Sequence, residues 1–481
     1  VTGVTRVTGS TVSIDGANEI ERYFEISPAS NSGLNATVLH HYDESELNGI
    51  LEGELKLYNN AGGNWTSYSS TVDETENTVT ATGLASFDTL TCAQTGIDYI
   101  ASSTDGSWTD GSTWVGGVVP DSTDNVVIQS GDTVSVDNSN AMCRDISSTG
   151  NDAKIDMNAN SMLTVYGDFT IFSVDHCVFE AGWSATDAYI KFAGSAVQTL
   201  SGWDPGGGST SFRDVIIDKS GGRVQTDGSD MRLGIQNSLE IVNGLFELEV
   251  GDDIEGRWAS SGYFTGNPLP DITIQAGGEL HMMDGSGAHH IRSDYDSGDH
   301  LPIGTVTVYG KATFRDASSY GINLSGVDIE NGGKVITSTA MGGGEFECGP
   351  LTIKAGGELE NYTTSDIWGT SAVVTLEEGG VYDTKSSTTT FPLSFTNNGT
   401  VRYSRDGTTD QQITDMDYKD LEISLDPDNS KIWDLTADRV IADTLKTNYD
   451  GNLVITASAA QKVTVEGLLY MSTGSIDNSD P

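Results

Sequence analysis

The chain has 481 residues, 36% hydrophobic, with 57 Gly and 10 Pro, and 24 basic residues stand against 70 acidic ones for a net charge of −46. That length suggests more than one domain. Thr, Ser, Val and Ile dominate between the glycines and no long amphipathic helical pattern is found, so the class is all-β. The acids are scattered along the chain, as in a solvated skin on a folded body, which repels phosphate backbones and anionic lipid and argues against nucleic acid as a partner. No run of about 18 apolar residues offers a membrane span, so no membrane insertion is expected.

Residues 1–95 carry short alternating runs at Thr11–Ile14, Arg22–Ile26, Ala36–His40, Glu54–Tyr58 and Thr78–Ala81. Turn clusters such as Asn31-Ser32-Gly33 separate them, and this spacing predicts a small β-sandwich. Trp65, after a glycine-rich turn, is expected to anchor the core or an edge. Residues 96–125 hold Trp108 and Trp114 among tight turns. Unpaired strand edges at the end of a solenoid invite aggregation, so this segment reads as a cap rather than a sugar-binding aromatic pair.

From residue 126 to 481 one phrase keeps returning: strand, Gly-Gly, strand. It appears as Ile272–Leu280, Val327–Val335, Leu351–Leu359 and Val374–Tyr382, and the step from Gly332 to Gly356 is 24 residues and from Gly356 to Gly379 is 23. A step near 23 predicts stacked rungs of a parallel β-helix, with the glycines at corners of positive φ, instead of a hairpin meander. A longer repeat pairs Ser211–Ile217 with Asp417–Ile423, each following a glutamine lead at Gln198 or Gln412. Duplication of a multi-rung block fits a modular stalk.

Two blocks carry a family resemblance. Glu21–Pro28, Tyr42–Gly49, the Asn64-Trp65 turn and Leu84–Phe87 resemble a β-sandwich module of very large surface proteins of Bacteroidetes and related bacteria. Asp105–Trp108, Ser112–Trp114, Gly116-Gly117, Val119-Pro120, Asp124–Ile128 and Asp132–Val136 are similar to the start of the right-handed parallel β-helix in the same proteins. The resemblance implies an extracellular or cell-surface location, export by type IX secretion, and an adhesin-like role. It also implies O-linked glycans on Asp-Ser/Thr-aliphatic triplets, which makes Thr89, Thr133 and Thr444 candidate glycosylation sites. The chain begins at Val1 and stops in polar sequence, and reads as a piece of a larger processed protein whose β-helix continues further.

Candidate chemistry is sparse. His281, His289, His290 and His300 fall in one stretch with Asp294 and Asp296, where imidazole and carboxylate together could hold a divalent metal, although no HExxH-like spacing is present. Asp426 and Asp428 place hard oxygens close together, as do Asp121 and Asp124; calcium is the ion they would take, and capped acidic turns are the plainer reading. Beyond calcium no cofactor is implied. Cys92, Cys143, Cys177 and Cys348 show no CxxC spacing; a Cys143–Cys177 bridge is one pairing the count allows. No spacing singles out a catalytic carboxylate pair. The expected function is structural: a stalk, adhesin or filament subunit that contacts sister subunits, neighbouring modules or glycans. The alternative is a polysaccharide-cleaving β-helix enzyme.

Overall fold

The structure is a computed structural model, and it describes residues 3–12, 14, 18–47, 50, 52–60, 65–94, 99–149, 153–170, 188–201, 210–228, 231–256, 270–283, 291–292, 302–315, 322–337, 346–362, 373–389, 391–392, 394–424, 427–448, 451–457, 460–471 and 475–478. The chain is all-β and divides into two compact units, Val1–Tyr99 and Ile100–Pro481.

The first unit holds two antiparallel sheets. Strands Gly3–Thr8, Asn18–Ser27, Thr89–Gln94, Leu55–Asn59 and Thr66–Tyr68 lie side by side in that order; Ala36–His41, Thr78–Leu84 and Ser70–Asp73 form the other sheet. Both send apolar side chains into one buried cluster, Leu55, Leu57, Leu90 and Cys92 from the first and Val79, Ala81 and Leu84 from the second. That is the interior of a sandwich. Thr11, Val12 and Ile14 lie outside any strand, contrary to the alternation there; the opening strand is Gly3–Thr8, which pairs with Asn18–Ser27 at the sheet edge. Trp65 is half-buried against Ile14, Tyr58 and Ala93, an edge anchor.

The second unit is a parallel β-solenoid. Its core is built by columns. Ala141, Leu163, Ile190, Val215, Leu239, Ile272, Val306, Val327, Leu351, Val374 and Phe395 stand in register, each directly over the one before. Parallel neighbours lie roughly 4.8 Å apart, so these eleven side chains span about 50 Å. A second column runs Val224, Phe246, Leu280, Ala312, Val335, Leu359, Tyr382, Val401, Leu421, Leu445 and Leu469. Alternate residues of each strand point inward, and a single apolar cluster runs from Trp108 to Leu453. The step is not uniform. It is 21 residues from Val306 to Val327 and 34 from Ile272 to Val306.

Trp108 and Trp114 are buried at the start of the solenoid. Their rings meet edge to face at 5.1 Å, and Trp114 Nε1 donates to Trp108 O. They are core residues and present no open platform to a ligand. Cys92, Cys143 and Cys348 are buried, and no disulfide joins them to one another; Cys177 lies outside the described residues.

Candidate functional site: a ladder of paired charges

The residues that flank the second column point outward, and six basic side chains on this face are paired with acids. Lys334 lies 2.7 Å from Glu360 and 3.8 Å from Glu358. Lys385 lies 3.7 Å from both Glu360 and Asp383. Arg402 reaches Glu422 at 3.0 Å, Glu358 at 3.4 Å and Asp383 at 3.5 Å, and Lys446 reaches Glu422 at 2.9 Å. On earlier strands of the same column, Arg223 pairs with Glu247 at 3.0 Å and Lys311 with Glu279 at 2.5 Å. Register explains the pattern. Glu358 lies over Lys334, Glu422 over Arg402 and Lys446 over Glu422. Asp383 lies over Glu360, a like-charge pair that would repel at this spacing, and Lys385 sits against both.

Two carboxyls here are pushed apart in acidity. Burial raises that of Asp383, which is only 4% exposed and accepts from Ser404 Oγ. Burial also works to raise Glu360, but hydrogen bonds from Lys334 and Tyr362 and the charges of Lys334 and Lys385 hold it below its ordinary range. Such a split is what an acid and a base need. Asp383 is closed off by its own partners, however, and both groups are engaged with cations.

The aspartates do a second structural job. The carboxylates of Asp105, Asp145, Asp168, Asp271, Asp410, Asp415, Asp417, Asp420 and Asp438 each accept a backbone N–H of the following rung, from Thr133, Asp168, Thr199, Thr305, Ser430, Thr436, Val440, Thr444 and Lys462, at 2.7–3.1 Å. Strand ends leave such donors unpaired, and a carboxylate satisfies them strongly. Part of the acidic excess is therefore rung-to-rung bonding and not surface charge alone. Asp415 also takes the Arg439 guanidinium, which holds its carboxyl down to about 2.

The sequence candidates fare unevenly. His281 belongs to strand Asp271–Met282, over Glu247, and its Nδ1 is 3.3 Å from Glu247 Oε2, which makes it part of the ladder. His289, His290, Asp294, Asp296 and His300 lie outside the described residues, as does Asp426; Asp428 is exposed in a turn. Among the described residues no three His, Cys, Asp or Glu side chains gather in a way that could hold a metal. Asp121 accepts from Thr123 N and Oγ1, and Asp124 from Asp121 N, the pattern of a capped turn. Thr89, Thr133 and Thr444 are half-buried strand residues; Asp420 takes the Thr444 N–H and Asp105 that of Thr133. Asn361, which heads an Asn-x-Thr sequon, is buried between Thr337 and Tyr382.

The ladder escaped the sequence reading although three of its members, Glu279, Lys334 and Glu358, stand in the repeated phrase. The signal is the residue that follows each Gly-Gly, and the one two places later, compared at one rung's distance. Comparison with known protein families, curated proteins and solved structures finds no match to the chain.

Proposed function

We propose that this chain is a structural segment of an extracellular, cell-surface protein: a stalk or adhesin-like piece, or a subunit of a surface filament. Its solenoid acts as a spacer whose neighbours are sister subunits, adjoining modules or glycans. The observation that carries this reading is the ladder itself. Acid and base side chains on a long face are engaged with one another across rungs, over one apolar core that runs from Trp108 to Leu453, which serves length and rigidity. Electron microscopy of the native protein tests it. The expected image contains rods at least about 50 Å long, as eleven stacked rungs require; particles without a rod overturn the reading.

A rival reading, a polysaccharide-cleaving enzyme, draws on the raised Asp383 beside the lowered Glu360. It requires depolymerisation of a uronate-rich or neutral glycan that vanishes in Asp383→Asn. Inactivity across a broad glycan panel is the outcome expected for a stalk.

A further inference from the structure

One buried nucleophile has no part in the ladder. Lys219 is 2% exposed, in strand Thr210–Thr226, directly over Gly194 of the preceding rung. Gly244 of the next rung closes over it: a Cβ there would lie 2.6 Å from Lys219 Cβ. Among the described residues no carboxylate lies within ion-pair distance of its amine. Instead Nζ meets the side-chain carbonyl of Gln198 at 2.5 Å and Ala193 O at 3.1 Å. Gln198 is 0% exposed, and its Nε2 donates to Val165 O and Gly167 O. An ammonium buried without an ion-pair partner is costly, and burial, against the opposing charge of Asp168, lowers this amine to about 8, so a neutral, nucleophilic fraction exists near neutral pH.

We propose that Lys219 and Gln198 form an intramolecular isopeptide cross-link by self-catalysed transamidation. Lys219 Nζ attacks Gln198 Cδ, the Nζ–Cδ bond forms, the Cδ–Nε2 bond breaks, and one proton passes from Nζ to Nε2, which leaves as ammonia. Nothing is oxidised or reduced and no co-reactant is needed. The carbonyls of Val165 and Gly167 already hold the departing nitrogen. The bond ties adjoining rungs covalently. In the duplicated block it is Gln411, one residue before Gln412, whose Nε2 likewise donates to two backbone carbonyls, and it gives its side-chain carbonyl to Arg405 N, so the assignment concerns the first copy alone.

Intact mass and peptide mapping of the wild-type protein, denatured after incubation in mildly alkaline buffer, test this. The expected mass is lower by one ammonia, with one branched peptide joining Gln198 to Lys219 and no tryptic cleavage after Lys219. Lys219→Arg is expected to restore the full mass and separate the two peptides. Wild-type protein at full mass with both residues in linear peptides overturns the proposal. So does an ammonia loss that persists in Lys219→Arg, which would mark a succinimide at an Asn-Gly pair such as Asn243-Gly244.

Discussion

At the residue scale, the two glycines of each pair answer different demands. Gly332, Gly356 and Gly379 have φ of 84°, 80° and 82° and sit third in turns closed by Gly333 N to Glu330 O, Gly357 N to Lys354 O and Gly380 N to Glu377 O, as a type II turn requires. The second glycines need space instead. A Cβ on Gly333 would stand 1.9 Å from Val308 O of the rung below, whereas one on Gly332 meets nothing closer than 3.9 Å. Gly332→Ala is therefore expected to cost about 1 kcal/mol through backbone strain, and Gly333→Ala roughly 3 kcal/mol or more, since a backbone carbonyl must move. Urea melts of the two variants check the order. His40 gives a second residue-scale expectation. It is buried edge-on against Phe24, neither ring nitrogen has a hydrogen-bond partner among the described residues, and burial first, then Arg22 and His41, lower it from 6.5 to about 4. The unfolded chain takes up the proton first, so the neutral ring favours folding above about pH 6.5 and the sandwich loses stability as pH falls toward 4, by roughly 3 kcal/mol at most. A pH series of melts should show that loss, and His40→Phe should flatten it.

At the scale of elements, the stacking was legible because its period was written in aliphatic residues and glycines. Val327–Val335, Leu351–Leu359 and Val374–Tyr382 fold as read, with strands on either side of a turn. Ile272–Leu280 does not: Asp271–Met282 is one continuous strand, and Gly277 and Gly278 are there because a Cβ would strike Asn243 Oδ1 or Ile241 O, each at 2.3 Å. A glycine chosen for close approach looks the same in sequence as one chosen for a turn. The duplicated block held another surprise. Val215 belongs to the first column but its counterpart Leu421 to the second, so the copies occupy different faces of the coil, and sequence similarity could not tell which. Nor could it reveal that Lys219 and Gln198 meet, since their contact depends on three-dimensional register. The ladder yields its own expectation. Arg402→Met leaves Asp383 buried with weaker compensation and should cost roughly 3 kcal/mol, most of it recovered in the double variant Arg402→Met/Asp383→Asn. Chemical denaturation of the three variants measures this; a single variant as stable as wild type would show the pairing is incidental.

At the scale of the whole molecule, two units of opposite design share one chain: an antiparallel sandwich and a parallel solenoid. In the solenoid the backbone hydrogen bonds run along the stack, not across it. A tug along that direction loads them lengthwise, and the coils can detach one after another. Each coil that lets go shortens the stack by about 4.8 Å and frees about 24 residues of thread, roughly 80 Å when drawn straight. A tether made this way would absorb a sudden pull by lengthening many-fold, and an amide bolt between Gln198 and Lys219 would set the coil at which the unravelling stops.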